Sequence, residues 1–95
     1  MNSMIDLNSY PYRQDMVLTQ GIENYQVLLH LESGQYYALN EVGERVWGLC
    51  DGGRQVKEIV DIICDEYEAP KTEIKADVLE LLQELVDEQL ILITC

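Results

Sequence analysis

The apolar period of this chain changes once, at Asn40. Before it, apolar residues recur at every second position; after it, they recur three and four apart. A two-residue period puts side chains on alternate faces of a strand, and a 3.6-residue period lines them along one stripe of a helix. The chain therefore divides into a sheet-forming first part and a helix-forming second part. In the segment NYQVLLHLES, Tyr25, Val27, Leu29 and Leu31 alternate with Asn24, Gln26, Leu28 and His30. That is the pattern of a strand with one buried face; the first set is expected to face the core, and His30 to face solvent. Residues 16–19, MVLT, read as a strand before it. QYYAL, residues 35–39, reads as a third strand, after a Ser33-Gly34 turn in which Gly34 is free to take positive φ.

Asn40 predicts a helix start, because its side chain can accept from the free amides of a first turn. Glu41 and Glu44 then suit the positive end of the helix dipole. The helix should run to about Cys50, burying Val42, Val46, Trp47 and either Leu49 or Cys50, and stop at Asp51-Gly52-Gly53. A second helix is expected over residues 56–67, with Val56, Ile59, Val60 and Ile63 at helical spacing. A third should begin near Thr72, as its cap, and reach about Glu88. At about 100° per residue, Ile74, Val78, Leu81 and Leu85 share one stripe, and Leu79, Leu82 and Val86 form a second beside it. The opposite arc carries Glu73, Asp77, Glu80, Glu84, Asp87 and Glu88. The tail LILIT either returns as a short strand or packs against the sheet. Residues 1–12, broken by Pro11, read as a flexible N-terminal arm that is loose or docks weakly, and residues 13–95 as a single domain. Three strands followed by three helices make an α+β domain of the winged helix-turn-helix kind.

Charge narrows the function. Eighteen acidic residues against six basic ones give a net charge of -12. Binding to phosphates needs clustered Lys and Arg, and a major-groove helix needs Arg, Lys, Asn or Gln toward the bases. The third helix offers a row of carboxylates instead, which argues against nucleic acid and equally against an anionic membrane surface. No secretory signal pattern and no apolar run approaching the ~20 residues of a bilayer span are visible. Cys50, Cys64 and Cys95 include no CxxC pair and read as reduced thiols, so a cytoplasmic location is expected. The single imidazole, His30, has no nucleophile or metal-ligand spacing around it. No catalytic residue, metal or cofactor is expected.

What remains is the binding of another polypeptide. A three-stranded sheet has an open edge, to which an extended peptide can add as a strand. Tyr36 and Tyr37 point to opposite faces of the third strand, so one of them, not both, should face such a peptide. The second apolar stripe of the third helix is either the other wall of a groove or core; periodicity does not separate the two.

The stretch VLLHLESGQYYALNEVGERVWGLCDGGRQVKEIVDIICDEY, followed by LLQELVDEQLI, resembles the PqqD-like proteins, the peptide-recognition domains of ribosomal peptide natural-product pathways. The shared pattern spans Tyr37, Leu39, Asn40, Gly43, Val46, Trp47, Leu49, Asp51, Gly52, Val56, Glu58, Ile59 and Val60, and the resemblance covers roughly residues 14–93. It implies a winged helix-turn-helix domain and a non-catalytic adaptor. Such an adaptor binds the leader segment of a precursor peptide by strand addition, between the third strand and the third helix. It then presents the peptide to a modifying enzyme, such as a radical S-adenosylmethionine enzyme, a cyclase or a leader peptidase. Carried over element by element, the peptide-binding positions are Gln35, Tyr36, Tyr37 and Ala38 on the strand, and Ile74, Val78, Leu79 and Leu82 on the helix. YYALNEVGERVW is more similar to general or lasso-peptide members than to those of pyrroloquinoline quinone biosynthesis. A peptide chaperone of the latter pathway is therefore the alternative, and a winged-helix DNA-binding regulator a more distant one. With no fused enzyme domain in view, the chain should act as a separate adaptor, as a monomer or as a dimer that exchanges strands at its open edge.

Overall fold

A computed structural model of the protein describes residues 4–94. The elements run β1 (Tyr10–Arg13), β2 (Val17–Ile22), β3 (Tyr25–His30), β4 (Tyr36–Leu39), α1 (Glu41–Leu49), α2 (Val56–Glu66), α3 (Lys71–Asp87) and β5 (Ile91–Thr94). Strands β2, β3 and β4 form an antiparallel sheet in that order, and three helices follow, as the change of period at Asn40 requires. The tail does return as a strand: β5 pairs with β1 in a separate two-stranded sheet, Tyr10 opposite Thr94 and Arg13 opposite Ile91.

The pairing of β1 corrects the expectation of a loose arm. Ile5, Ser9 and Pro11 are buried, and the backbone of the segment holds the start of α2. The Val56 N–H donates to the Ser9 carbonyl at 3.0 Å, and the Lys57 N–H to the Leu7 carbonyl at 3.0 Å. These are first-turn amides, which no residue within a helix can satisfy. The segment looks polar and unstructured in sequence because its contribution comes from carbonyls, which every residue carries. Residues 1–3 and Cys95 lie outside the described residues.

A second correction concerns the faces of β3. Leu28 and His30 are buried, whereas Tyr25 and Leu31 are exposed and Val27 and Leu29 only half-buried. The alternation was legible, but its phase is inverted. Leu28 lies opposite Tyr37, and Gln26 opposite Leu39, so the inner face of β3 continues the inner face of β4 and meets α1. His30 is accommodated there because its Nδ1 accepts the N–H groups of Glu32 and Ser33 at 3.2 and 3.3 Å. The imidazole thereby serves as a turn cap. Gly34, with φ of 75°, completes that turn.

The Asn40 Oδ1 accepts from the Gly43 N–H at 2.9 Å, which fixes the start of α1. Helix α2 opens with a reciprocal box in which Gln55 and Glu58 satisfy each other's backbone. Helix α3 begins two residues earlier than a cap at Thr72 would place it, after Pro70 and without a side-chain cap, so Thr72 lies inside its first turn. Its buried residues are Ile74, Val78, Leu82 and Leu85. They pack with Leu28, Leu39, Val46, Ile59, Ile63 and Ile91 in one core.

Candidate functional site

The site begins with the hydrogen-bond parity of the sheet. The His30 N–H donates to the Gln35 carbonyl at 2.8 Å, and the register places Leu28 opposite Tyr37 and Gln26 opposite Leu39. In an antiparallel ladder alternate residues turn their backbone groups to opposite sides. Gln35, Tyr37 and Leu39 therefore bond β3, and Tyr36 and Ala38 turn both N–H and C=O toward the open edge. Strand β4 is the last of its sheet on that side.

Beside this edge lies an open groove of about 500 Å³. Tyr37, Ala38 and Leu39 of β4 form one side, Val42, Gly43 and Val46 of α1 the base, and Asp77, Val78 and Leu81 of α3 the far wall, with Tyr25 at the mouth. Gly43 keeps the base deep. A Cβ there would come within 3.2 to 3.3 Å of Leu39 and of the Asn40 Oδ1.

Tyr37 closes one end of the groove. Its hydroxyl donates to Glu84 Oε2 at 2.7 Å, tying the edge strand to α3. That bond holds the phenol protonated. Together with partial burial and the negative charges of Glu84, Glu80 and Glu88, it pushes the Tyr37 pKa up to about 12. Tyr36 points the other way and is exposed. Of the two adjacent tyrosines, only Tyr37 borders the groove.

The structure distributes the expected site residues unevenly. Tyr37, Ala38 and Val78 line the groove. Gln35 lies in the turn before β4, its carbonyl already engaged by His30. Ile74 is buried, Leu82 is wholly enclosed in the core, and Leu79 is half-buried against it. Val42, Gly43, Val46, Asp77 and Leu81 also line the groove. In sequence, Leu81 stands out only as a member of the first α3 stripe, and Val42 and Val46 only as core of α1.

Other chemistry is thin among the described residues. Cys50 is buried, its thiol donates to the Val46 carbonyl at 3.2 Å, and burial pushes its pKa up to about 12. No group of three or more His, Cys, Asp or Glu side chains is placed to hold a metal ion. No helix is long and apolar enough to cross a membrane.

The profile of the family described as "Coenzyme PQQ synthesis protein D (PqqD)" matches residues 25–91. A "PqqA binding protein" of Rhodopseudomonas palustris (strain HaA2) is 39% identical over 51 residues, which are 54% of this chain and 50% of that protein. Another "PqqA binding protein", of Bradyrhizobium diazoefficiens, is 33% identical over 66 residues, 70% of this chain and 64% of that protein. The chain thus spans about half the length of the first of these curated relatives. Among solved structures, TbiB1 in complex with the TbiA(beta) leader peptide superposes with a TM-score of 0.74 and 36% identity, covering 84% of this chain and 93% of that one. A lasso peptide synthetase B1 complexed with its leader peptide shares the fold, with a TM-score of 0.76 at 20% identity over 87% of this chain and 98% of that one. The profile match, which takes in the whole groove from Tyr25 to Leu81, shows that this chain belongs to the PqqD family.

Proposed function

We propose that this chain is a non-catalytic adaptor that binds the leader segment of a ribosomally synthesised precursor peptide in the β4/α3 groove and presents it to a modifying enzyme or leader peptidase. The observation that carries this reading is the coincidence of a free strand edge with an apolar groove: Tyr36 and Ala38 offer unpaired backbone groups beside Val42, Val46, Val78 and Leu81. The leader adds antiparallel to β4, exchanging N–H and C=O bonds with Tyr36 and Ala38. Its side chains on the inner face then enter the groove.

Magnitudes decide which part dominates. Each backbone bond contributes about 1 kcal/mol net, and each fully buried apolar side chain roughly 1.5 to 3 kcal/mol. One or two apolar anchors therefore set affinity and sequence preference, while the strand sets register. Of the helix positions inferred from resemblance, Val78 alone borders the groove, from a buried position at its wall, and Ile74, Leu79 and Leu82 act by holding α3 at the right distance.

Sheet edge alone would not choose between the two ends of the sheet, since β2 is also an outer strand. The hollow beside β2 is lined by Tyr12, Arg13, Gln14, Asp15, Thr19 and Asp51 together with Val17, Trp47 and Cys50, and the surface it exposes is mainly polar. The β4 side is favoured on that ground. A dimer exchanging strands at β4 would occupy the edge that the leader needs, so this reading takes the monomer as the acting form. Duplex binding is disfavoured because Glu73, Asp77, Glu80, Glu84, Asp87 and Glu88 are all exposed along α3. A cytoplasmic setting accords with the free thiols of Cys50 and Cys64.

The broad likeness to TbiB1, solved with a leader peptide, favours a general leader over that of pyrroloquinoline quinone biosynthesis. The identity shared with PqqA-binding proteins keeps the latter as the second reading. Titration with the two kinds of leader separates them. With the leader encoded beside this chain's gene, Leu81→Asp should weaken binding at least tenfold in a chain that still folds, with a denaturation midpoint lowered far less than by Leu82→Asp, because Leu81 is only half-buried against the core. Equal affinity of Leu81→Asp and wild type would overturn the groove assignment.

A further inference from the structure

The most alternating apolar stripe in the sequence does not enter the core. Register places Leu18, Leu29 and Tyr36 in one row across the sheet, Gln20, Val27 and Ala38 in the next, and Ile22 beside Tyr25 in a third. The Leu31 N–H, bonded to the Met16 carbonyl, extends the same face at the other end. This is the face turned away from the helices. Leu18, Ile22, Tyr25, Leu31 and Tyr36 are each 50% to 76% exposed on it. Scattered surface leucines need no explanation, but a contiguous apolar sheet face does.

The charge around the face identifies what fits it. No Lys or Arg occurs between Arg13 and Arg45. The turns at the two ends of the sheet carry Asp15, Glu23 and Glu32, all exposed. A second copy packed sheet to sheet would set these acidic ends against one another and join two chains of charge -12. Within a screening length of about 8 Å at physiological salt, that repulsion opposes the apolar gain. A different protein with an apolar patch ringed by Lys and Arg meets both features at once.

We infer that the outer face of the β2-β3-β4 sheet is the docking surface for the modifying enzyme or peptidase, through an apolar patch of that enzyme rimmed by basic residues. Naming the enzyme as occupant rests on the peptide-adaptor reading; the apolar face and its acidic ends do not. The face spans roughly 20 Å along the strands and 10 Å across. It is the apolar centre of an interface, not a whole one, because a standard interface takes about 800 Å² from each partner. Its basic-rimmed counterpart supplies the remainder at the turns. Position adds a consequence, since Tyr25 and Ala38 belong both to this face and to the groove lining. An enzyme seated here lies against the bound leader, and the core peptide that follows is delivered at high local concentration.

The test uses the full chain, the enzyme encoded beside its gene and the leader encoded there, titrated separately. Leu18→Ser/Leu31→Ser is expected to weaken enzyme binding at least tenfold and to leave leader affinity within twofold of wild type. Wild-type enzyme binding is also expected to weaken as salt rises. If the double variant loses its denaturation midpoint, Leu18→Thr, which keeps β propensity, carries the comparison with an expected threefold loss or more. Equal enzyme affinity of wild type and folded variant overturns the inference, as does the absence of wild-type binding to that enzyme. Self-association of the wild type that the substitutions abolish also overturns it, by making a second copy the occupant. Leader binding is read in its own titration, so a failure of the groove is seen apart from a failure of the face.

Discussion

Tyr37 and Glu84 make a side-chain hydrogen bond from the edge strand to α3. Tyr37→Phe removes it and is expected to destabilise the fold by no more than about 1 kcal/mol, because Glu84 is exposed, while loosening the groove and weakening leader binding. The Tyr37 pKa is raised from 10.0 to about 12. A raised value means stability that is complete below pH 10 and lost as pH climbs through 12. Spectrophotometric titration should show an ionisation near pH 12 in wild type that is lost in Tyr37→Phe. Two neighbouring leucines give a sharper contrast. Leu82→Asp loses a wholly buried side chain, at about 2 to 5 kcal/mol, and adds an unpaired buried charge. In a domain of only about 5 to 15 kcal/mol total stability, circular dichroism should show it largely unfolded. Leu81→Asp, at the groove wall, should remain folded. Sequence alone put Leu79, Leu81 and Leu82 on one broad apolar arc, because only the neighbours of α3 decide which part of that arc faces the core. His30 shows the same limit, since no pattern announces that an imidazole will cap a turn through Nδ1.

At the level of elements, the junction at Asn40 does two tasks, ending the strand that offers its edge and starting the helix that floors the groove. Asn40→Ala frees the Gly43 amide and should cost about 1 kcal/mol, measured as a lowered midpoint in urea. Gly43→Ala tests the floor. A helical alanine gains up to about 1 kcal/mol over glycine, but its Cβ would sit 3.2 to 3.3 Å from Leu39 and Asn40. Overpacking of that kind costs about 1 to 3 kcal/mol, so Gly43→Ala should lower the urea midpoint and narrow the groove. The elements of the sheet and helices were legible because each repeats its own period for several residues. The phase of β3 was not, because Tyr25, Val27, Leu29 and Leu31 outweigh Leu28 and His30 in apolarity yet face outward. If the outer face is a docking surface, that mismatch is what a surface selected for association leaves in a sequence. The groove was legible as an edge and a helix, while its α1 floor was hidden in residues that also look like core.

On the scale of the whole molecule, the segment before β2 is structural. It buries Ile5, Ser9 and Pro11, pairs β1 with β5 and caps the start of α2. Deleting residues 1–13 should cost at least about 3 kcal/mol, from Ile5 burial and the lost backbone bonds, and lower the melting temperature accordingly. On the proposed reading, one small sheet has two uses: an open edge for a peptide and an outer face for a protein. The central claim is that the peptide adds to the β4 edge, and amide hydrogen exchange reads it residue by residue. In the free chain, the Tyr36 and Ala38 amides should exchange fast and those of Tyr37 and Leu39 slowly, by the parity of the ladder. With saturating leader, Tyr36 and Ala38 should become protected, while Thr19 and Gly21 on the opposite edge stay unchanged. Leader binding that leaves Tyr36 and Ala38 exchanging freely, or that protects Thr19 and Gly21 instead, contradicts the account.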